Sequence, residues 1–312
     1  MAISSWIVSE AYAGLQAQAL GLAEAAGLAP EMRVLRPRGL WRHVPPAWWP
    51  RPLAAVAPAA LAPPMAELLI GCGGKAAAVL AALRRQARTV IIQHPRMDIR
   101  RFDLVVAARH DALSGPNVLV GRTALHRMTP ARLAEAAALW GPRLADLPRP
   151  LVGVLVGGSN GRFRLDAAVG AALADRLAAM MRADRVGLVL TPSRRTDPAV
   201  RAILAERLRP LGAMVWDMAG DNPYAGILAL ADALVVTGDS VSMLSEAVAT
   251  AAPVMVASLP GRSRRIGRFV GGLIDDGRIR PYQGRLEMWP VTPLDDTAAI
   301  AAEMCRRFGY GS

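Results

Sequence analysis

A chain of 312 residues is long enough for two domains of ordinary size, each burying its own core. An apolar share of 53% with only 5% aromatics suits a globular α/β protein and excludes a disordered or disulfide-rich one. The net charge of +12, carried almost wholly by arginine, leaves four accounts: nucleic acid, an anionic membrane surface, phosphorylated substrates, or the Ala-Arg-Gly-Pro bias of a GC-rich genome.

Strand-like and helix-like stretches alternate from the start. Ser5 to Ser9 reads as a strand, Gly14 to Ala26 as a helix and Met32 to Leu35 as a second strand. Arg36 to Pro64 is too rich in proline for regular structure beyond a short helix. Leu68 to Gly71 leads into a helix from Lys75 to Gln86, and strands follow at Thr89 to Gln93, Asp103 to Ala107 and Asn117 to Val120. Thr129 and Pro130 fit the N-cap and first position of a helix running to about Trp140. Leu147-Pro148-Arg149-Pro150 is the best linker candidate.

The second half repeats the pattern, with strands at Leu151 to Val156, Val186 to Thr191, Ala213 to Trp216, Ala233 to Thr237 and Pro253 to Ala257. Helices are expected at Leu165 to Arg182, Asp197 to Leu208, Pro223 to Ala231, Ser240 to Thr250, Arg264 to Ile274 and Asp296 to Arg307. Successive β-α-β units imply parallel sheets covered on both faces. The expectation is two doubly wound domains facing one another, over residues 1–147 and 151–295, with a C-terminal helix at 296–312 that packs back on the first.

Cys72 and Cys305 lie far apart and in no ligand spacing, so neither a disulfide framework nor a zinc site is expected, and the reducing cytosol is the default compartment. The N-terminus has no basic stretch ahead of an apolar one, so no signal peptide is expected. Apolar runs stop well short of the ~18 residues a membrane span needs. Nucleic acid is disfavoured as a partner because no arginine-rich helix, zinc finger or stacking motif accompanies the charge.

Open α/β sheets bind ligands beyond the carboxyl ends of their strands. Thr237-Gly238-Asp239-Ser240-Val241-Ser242-Met243-Leu244-Ser245-Glu246-Ala247 follows the buried run Ala233 to Val236. Such a turn offers backbone N–H groups and hydroxyls to an anion. Ser242 and Glu246 share a helix face, which suits phosphate and ribose hydroxyls respectively. A well-capped helix, with Asp239 or Ser240 as N-cap and Glu246 solvated, is the alternative.

Gly157 and Gly158 would let the backbone approach a pyrophosphate, with Ser159 and Asn160 donating to it, or form a tight turn with no ligand. Ser193-Arg194-Arg195-Thr196 offers paired arginines to a diphosphate, or a solvated basic loop. Asn222, with Pro223 and Tyr224, reads as a helix cap, with a base-contacting role secondary. These turns fall at one edge of one expected sheet, and together they argue for a nucleotide diphosphate site.

Gly71 to Ala76 ends in Gly-Lys but lacks the first Walker glycine and the metal-holding Ser or Thr. No G-x-G-x-x-G opens either half, and the four histidines show no zinc spacing. His94 and His110 both follow strands of the first half, where an acceptor could be deprotonated; a polar loop role is the commoner alternative.

Phe102-Asp103-Leu104-Val105-Val106, His110-Asp111, Asn117-Val118, Ser193 to Thr196, Asn222-Pro223-Tyr224 and Thr237 to Ala247 occur in that order. This series resembles the mitochondrial-fission "elongated mitochondria" family of bacterial and plant proteins, itself similar to GT-B glycosyltransferases, including lipid-linked N-acetylglucosaminyltransferases of peptidoglycan synthesis. The resemblance implies an α/β, GT-B-like fold of two Rossmann-like domains facing a cleft, with a nucleotide-sugar donor in the second and an acceptor in the first. It implies transfer without a bound metal or other cofactor. The family opens with Asp-Gly-Lys-x-Gly and then Gln; here Glu10-Ala11-Tyr12-Ala13-Gly14 and Gln18 stand there, keeping Gly14 and Gln18 and losing the first glycine and the lysine.

The expectation is a glycosyltransferase moving a sugar from a nucleotide diphosphate to an envelope glycolipid or glycan. Glu246 would take the ribose, and Ser159, Asn160, Ser242, Arg194 and Arg195 the diphosphate; His94, Asp98 or His110 would be the acceptor base. The basic surface and the Trp48-Trp49 loop would suit peripheral contact with the inner face of an anionic membrane; a core or interdomain role for those tryptophans is the alternative. A non-hydrolysing nucleotide-sugar epimerase and a non-catalytic scaffold are the rival readings.

Overall fold

The structure is a computed structural model that describes residues 3–310. The chain divides into two compact units: one runs to Arg127 and takes in the segment from Asp295 onward, and the other spans Met128–Leu294. Residues 1, 2, 311 and 312 of the expected domain ranges lie outside the described residues.

The first unit is built from β1 (Ser5–Ser9), α1 (Ala13–Ala25), β2 (Glu31–Val34), β3 (Leu68–Cys72), α2 (Gly74–Leu83), β4 (Arg88–Ile92), β5 (Leu104–Ala108) and β6 (Val118–Gly121). All strand pairs are parallel, in the order β2-β1-β3-β4-β5-β6. Alternate residues divide the core in two. Trp6, Val8, Leu69, Ile91 and Val105 pack with α2 on one face; Ile7, Leu68, Ile70, Val90 and Leu104 pack with α1 on the other. That is why these strands read as unbroken apolar runs. The last helix, Thr297–Phe308, closes the second face by setting Ile300, Ala301 and Met304 against Ala19, Leu22 and Ala23 of α1. The proline-rich stretch forms three short 3-10 turns, at Gly39–Arg42, Pro46–Trp48 and Pro58–Leu61, and one antiparallel bridge between Pro37 and Val56.

The second unit opens with α3 (Pro130–Leu144) and continues through β7 (Leu151–Val156), α4 (Ala167–Asp184), β8 (Gly187–Pro192), α5 (Pro198–Leu208) and β9 (Met214–Val215). Then come α6 (Tyr224–Leu230), β10 (Ala233–Thr237), α7 (Val241–Val248), β11 (Val254–Ala257), α8 (Arg264–Asp275) and β12 (Ile279–Pro281). The parallel strand order is β12-β11-β10-β7-β8-β9. Counted within the unit, the first strand is central, the chain winds out to one edge and then returns to the other side. That is the doubly wound dinucleotide-type order, and it reverses between β7 and β10. In the first unit the corresponding reversal lies between β1 and β3.

Three features differ from the sequence reading. The first compact unit ends at Arg127, twenty residues before the expected boundary at 147, because α3 packs with the second unit. A Cβ on Gly226 of α6 would lie 2.3 Å from the Trp140 Cγ, so the two helices touch through a glycine. Thr129 does cap α3, accepting from the Arg132 N–H at 3.3 Å, but the helix runs on through Pro142 to Leu144. Leu147 to Pro150 is therefore a turn inside the second unit. Arg149 pairs with Asp232 at 2.9 Å and the Gly187 N–H donates to Pro148 and Pro150 carbonyls, which anchors it. Finally, β12 is three residues with a proline, too short for any periodicity to reveal it; the proline is tolerated because the strand is an edge.

Candidate functional site

The order reversal of the second unit is tied by one buried carboxylate. Thr237 closes β10; its Oγ1 accepts the Gly157 N–H at 2.8 Å and donates to Asp239 Oδ1 at 2.7 Å. Asp239, whose side chain is 0% exposed, also accepts the Gly158 N–H at 3.2 Å and Arg195 Nη2 at 2.9 Å. Arg195 Nη1 reaches back to the Gly158 carbonyl at 3.3 Å. Thr196 Oγ1 donates to the Gly157 carbonyl and accepts the Ser193 N–H, and Ser193 Oγ accepts the Arg195 N–H. The loops after β7, β8 and β10 thus form a single hydrogen-bonded knot.

That knot corrects part of the expected phosphate cradle. The Gly157 and Gly158 N–H groups face protein acceptors. The glycines are required for close approach: a Cβ at Gly157 would sit 2.2 Å from Asp239 Oδ1, and one at Gly158 2.2 Å from the Arg195 carbonyl. Ser193 and Thr196 likewise hold their own loop. Ser159 Oγ accepts the Leu165 N–H at 2.8 Å, and Asn160 Oδ1 accepts from the Arg162 and Phe163 N–H groups, so both shape the turn they occupy. Their remaining O–H and amide N–H donors are exposed. Arg195 is held by Asp239 yet its side chain is 44% exposed, which leaves an oriented guanidinium edge toward solvent. Arg194 beside it is exposed and has no ion pair among the described residues.

Of the two cap candidates, Ser240 caps α7, accepting the Met243 N–H at 3.3 Å. Ser242 and Met243, in its first turn, are half-buried, and Glu246 lies one turn further on. The Tyr224 hydroxyl donates to Glu246 Oε2. Tyr224 is positioned by Asn222, whose Oδ1 accepts the Tyr224 N–H at 2.9 Å and the Thr191 hydroxyl at 3.3 Å. The helix α6 therefore begins at Tyr224, one residue later than expected, with Pro223 at the cap position. Burial pushes the Glu246 carboxyl up to about 7, and the Tyr224 hydrogen bond offsets only part of that. Burial and then the Glu246 charge push the Tyr224 hydroxyl well above its ordinary value.

In the first unit the candidates stand differently. Asp98 caps the 3-10 turn Ile99–Arg101 and holds the Arg100 guanidinium through both oxygens; those hydrogen bonds keep its carboxyl below the ordinary value, which makes it a weak base. His110 is buried at 7% exposure. His94 is exposed, and its Nδ1 accepts the Arg96 N–H at 2.9 Å, so the neutral ring carries its proton on Nε2. Gln18 is buried, donating to the Gly14 carbonyl at 3.0 Å and accepting from Gln93 at 3.4 Å.

Sequence reasoning missed the group at the β1–β3 reversal. Lys75, the only lysine of the chain, reaches from the first turn of α2 to Glu10 after β1, at 2.8 Å, with side chains 21% and 17% exposed. Gly73, at φ +91°, turns the chain from β3 into α2. The pair is 65 positions apart, so no local motif announces it. A lone lysine directly after a buried strand was the available signal. Among the described residues no three or more His, Cys, Asp or Glu side chains gather as a metal site, and no helix is long and apolar enough to cross a membrane.

The family described as "Mitochondrial fission ELM1" matches residues 13–308. The chain is 32% identical over 270 residues to the Arabidopsis thaliana protein named Mitochondrial fission protein ELM1, covering 77% of this chain and 63% of that one, so it spans less than two thirds of that relative. Its fold is like that of Acinetobacter baumannii MurG, with a TM-score of 0.53 at 15% identity over 98% of this chain and 90% of that one. It is also like the UDP-GlcNAc 2-epimerase of Neisseria meningitidis, with a TM-score of 0.52 at 9% identity over 98% and 100%. These likenesses, with two six-stranded parallel sheets, give an α/β fold of GT-B type. By sequence, the chain belongs to the mitochondrial fission ELM1 family.

Proposed function

We propose that this protein is a glycosyltransferase that takes a sugar from a nucleotide diphosphate donor held at the β7–β10 reversal of the second unit. One arrangement carries the reading: a half-buried carboxylate, Glu246, stands one helical turn from the half-buried N-terminal turn of α7, which follows the knot that orients Arg195. In this reading Glu246 accepts the ribose hydroxyls, and Tyr224 and Asn222 flank the base. Ser242, Met243 and Ser240 present the first turn of α7 to the diphosphate, with Arg194 and the outer edge of Arg195 neutralising it. Ser159 and Asn160 close the rim with their free donors; Gly157, Gly158, Ser193, Thr196 and Asp239 support it from beneath. No metal or cofactor is needed for the diphosphate to leave, since helix N-terminus and guanidinium groups stabilise it.

The first unit would take the acceptor, an envelope glycolipid or glycan, near Gly14 and Gln18. His94 would serve as acceptor base by turning its Nδ1 away from the Arg96 N–H, which frees a lone pair for the acceptor's hydroxyl proton; Asp98 and His110 are less suited as bases for the reasons given above. For peripheral contact with an anionic membrane, Leu40 at 80% and Trp48 at 76% exposure stand among the exposed Arg36, Arg38, Arg42 and Arg51. Trp49 is instead a core residue, its Nε1 donating to the Val44 carbonyl at 3.1 Å. Flotation with phosphatidylglycerol vesicles should recover the protein, phosphatidylcholine vesicles should not, and Leu40→Ser with Trp48→Ser should abolish recovery. Equal recovery with the double variant would rule this face out.

A thermal-shift panel of UDP-, GDP-, ADP- and CMP-sugars tests the donor site. A ligand at a hundred times its Kd should stabilise the second unit by about 2.7 kcal/mol, about 5–10 °C in melting temperature. Glu246→Ala should weaken the hit by roughly ten- to a hundredfold, the loss of charge-assisted hydrogen bonds. An epimerase would interconvert the free donor without acceptor, whereas a transferase releases nucleoside diphosphate. Absence of binding across the panel would leave the scaffold reading.

A further inference from the structure

The loops leaving β7 and β11 are stitched together although their strands are not neighbours; in the sheet they flank β10. The Arg164 N–H donates to the Pro260 carbonyl at 2.9 Å and the Arg262 N–H to the Arg162 carbonyl at 3.1 Å, with Phe163 and Gly261 bridged antiparallel. Gly261 makes this possible: its φ is +132° and a Cβ there would lie 2.1 Å from the Arg162 carbonyl oxygen. A pocket of about 380 Å³ lies in the stitched region, lined by Asn160, Gly161, Arg162, Arg164, Pro260 and its neighbour Gly261.

Arg162 and Arg164 line it, and Arg262 and Arg264 follow its Gly261 in the chain. Arg162, Arg262, Arg264 and Arg268 are exposed, and among the described residues their guanidinium groups enter no ion pair or hydrogen bond. Arg164 nearby pairs with Asp166 at 3.2 Å. From Ala247 through Ile274 the sequence has no Asp or Glu at all. The helix α8 begins at Arg264 with no acidic residue in its first turn, so Arg264, Arg265 and Arg268 sit at or near its positive end. A cation there is disfavoured by the helix dipole relative to a neutral side chain. The unpaired guanidinium groups of Arg162, Arg262 and Arg264, on or beside loops locked by a glycine, form a surface that an anion would relieve.

We infer that this rim is a binding site for a multiply charged oxyanion of the phosphate class, adjoining the nucleotide site proposed above through the Gly157–Asn160 turn and sharing Asn160 with it. The anion is either carried by the donor's own sugar or belongs to a separate phosphate-bearing molecule. The arginines supply bidentate donors and the pocket supplies the recess.

Inorganic pyrophosphate is the probe, titrated calorimetrically at low salt into the full chain and into the Arg262→Gln/Arg264→Gln variant. Both substitutions are at exposed positions, and circular dichroism with thermal melting checks that the variant is folded. The expected result is binding in the parent and a loss of about tenfold or more in the variant. Equal affinity in both, or no binding by the parent, overturns the inference. UDP-glucose with a phosphate on its 6-hydroxyl compared with plain UDP-glucose separates the sources: a preference for the phosphorylated sugar that disappears in the variant places the anion on the donor, while no preference alongside lost pyrophosphate binding places it on a separate molecule. A protein that binds pyrophosphate through these arginines but no nucleotide keeps this inference and loses the donor site. One that binds nucleotide and treats pyrophosphate alike in both forms does the reverse.

Discussion

Asp239→Ala is expected to destabilise the second unit by about 3 kcal/mol, in the range for removing one partner of a buried ion pair. The substitution strips an acceptor from the Thr237 hydroxyl, the Gly158 N–H and the Arg195 guanidinium together. The first two are buried and would be left without a partner, at about 1–3 kcal/mol each where water cannot enter. Arg195 is nearly half exposed and would recover hydration, which holds the total near the lower end. The melting transition of the second unit should fall by about 6–12 °C. Asp239→Asn keeps one acceptor oxygen and should lose about half as much. A shift under about 2 °C for the alanine variant would mean that the knot does not hold the three loops together.

Glu246 gives the second large effect, read through pH. Its carboxyl titrates near 7 in the folded chain against 4.5 for the unperturbed group, because burial penalises the charged form. Between those values the folded state keeps a proton that the unfolded chain has released. The associated stability is therefore fully present below pH 4.5, declines as pH rises, and is gone above about 7. The difference in pKa corresponds to about 3 kcal/mol at ~1.4 kcal/mol per unit. Denaturant titrations of the parent and Glu246→Gln across that range should show the slope in the parent alone; parallel curves would refute it. Ligand binding runs the other way. If ribose hydroxyls donate to the ionised carboxylate, nucleotide affinity should rise nearly tenfold per pH unit up to about 7 and then level. The Glu246→Gln variant should show a weak, flat profile.

How far the site was legible depends on the range of the interaction involved. Ser240 as the cap of α7, and Ser242 and Glu246 on one helix face, follow from spacings of three and four residues. The convergence of loops followed from the βα alternation, since parallel strands deliver all their carboxyl ends to one edge. Asp239 was legible only as a possible cap. Its partners Gly158 and Arg195 lie 81 and 44 positions away, and only the order of strands decides that they meet it. The same holds for Glu10 with Lys75 and for Tyr224 with Glu246.

Local sequence determined the strands, most helices and their caps, because apolar periodicity and capping chemistry act within a few residues. It also determined the α/β class, since buried apolar strands alternating with helices have no other compact solution. Tertiary structure decided where the first unit ends, because α3 is claimed by the contact of Trp140 with Gly226 and no signal near residue 127 encodes that. It also decided which donors at the rim face protein and which face solvent. That outcome depends on the backbone approach that Gly157, Gly158 and Gly261 permit, and a glycine's neighbours across space are set by the fold rather than by the residues beside it.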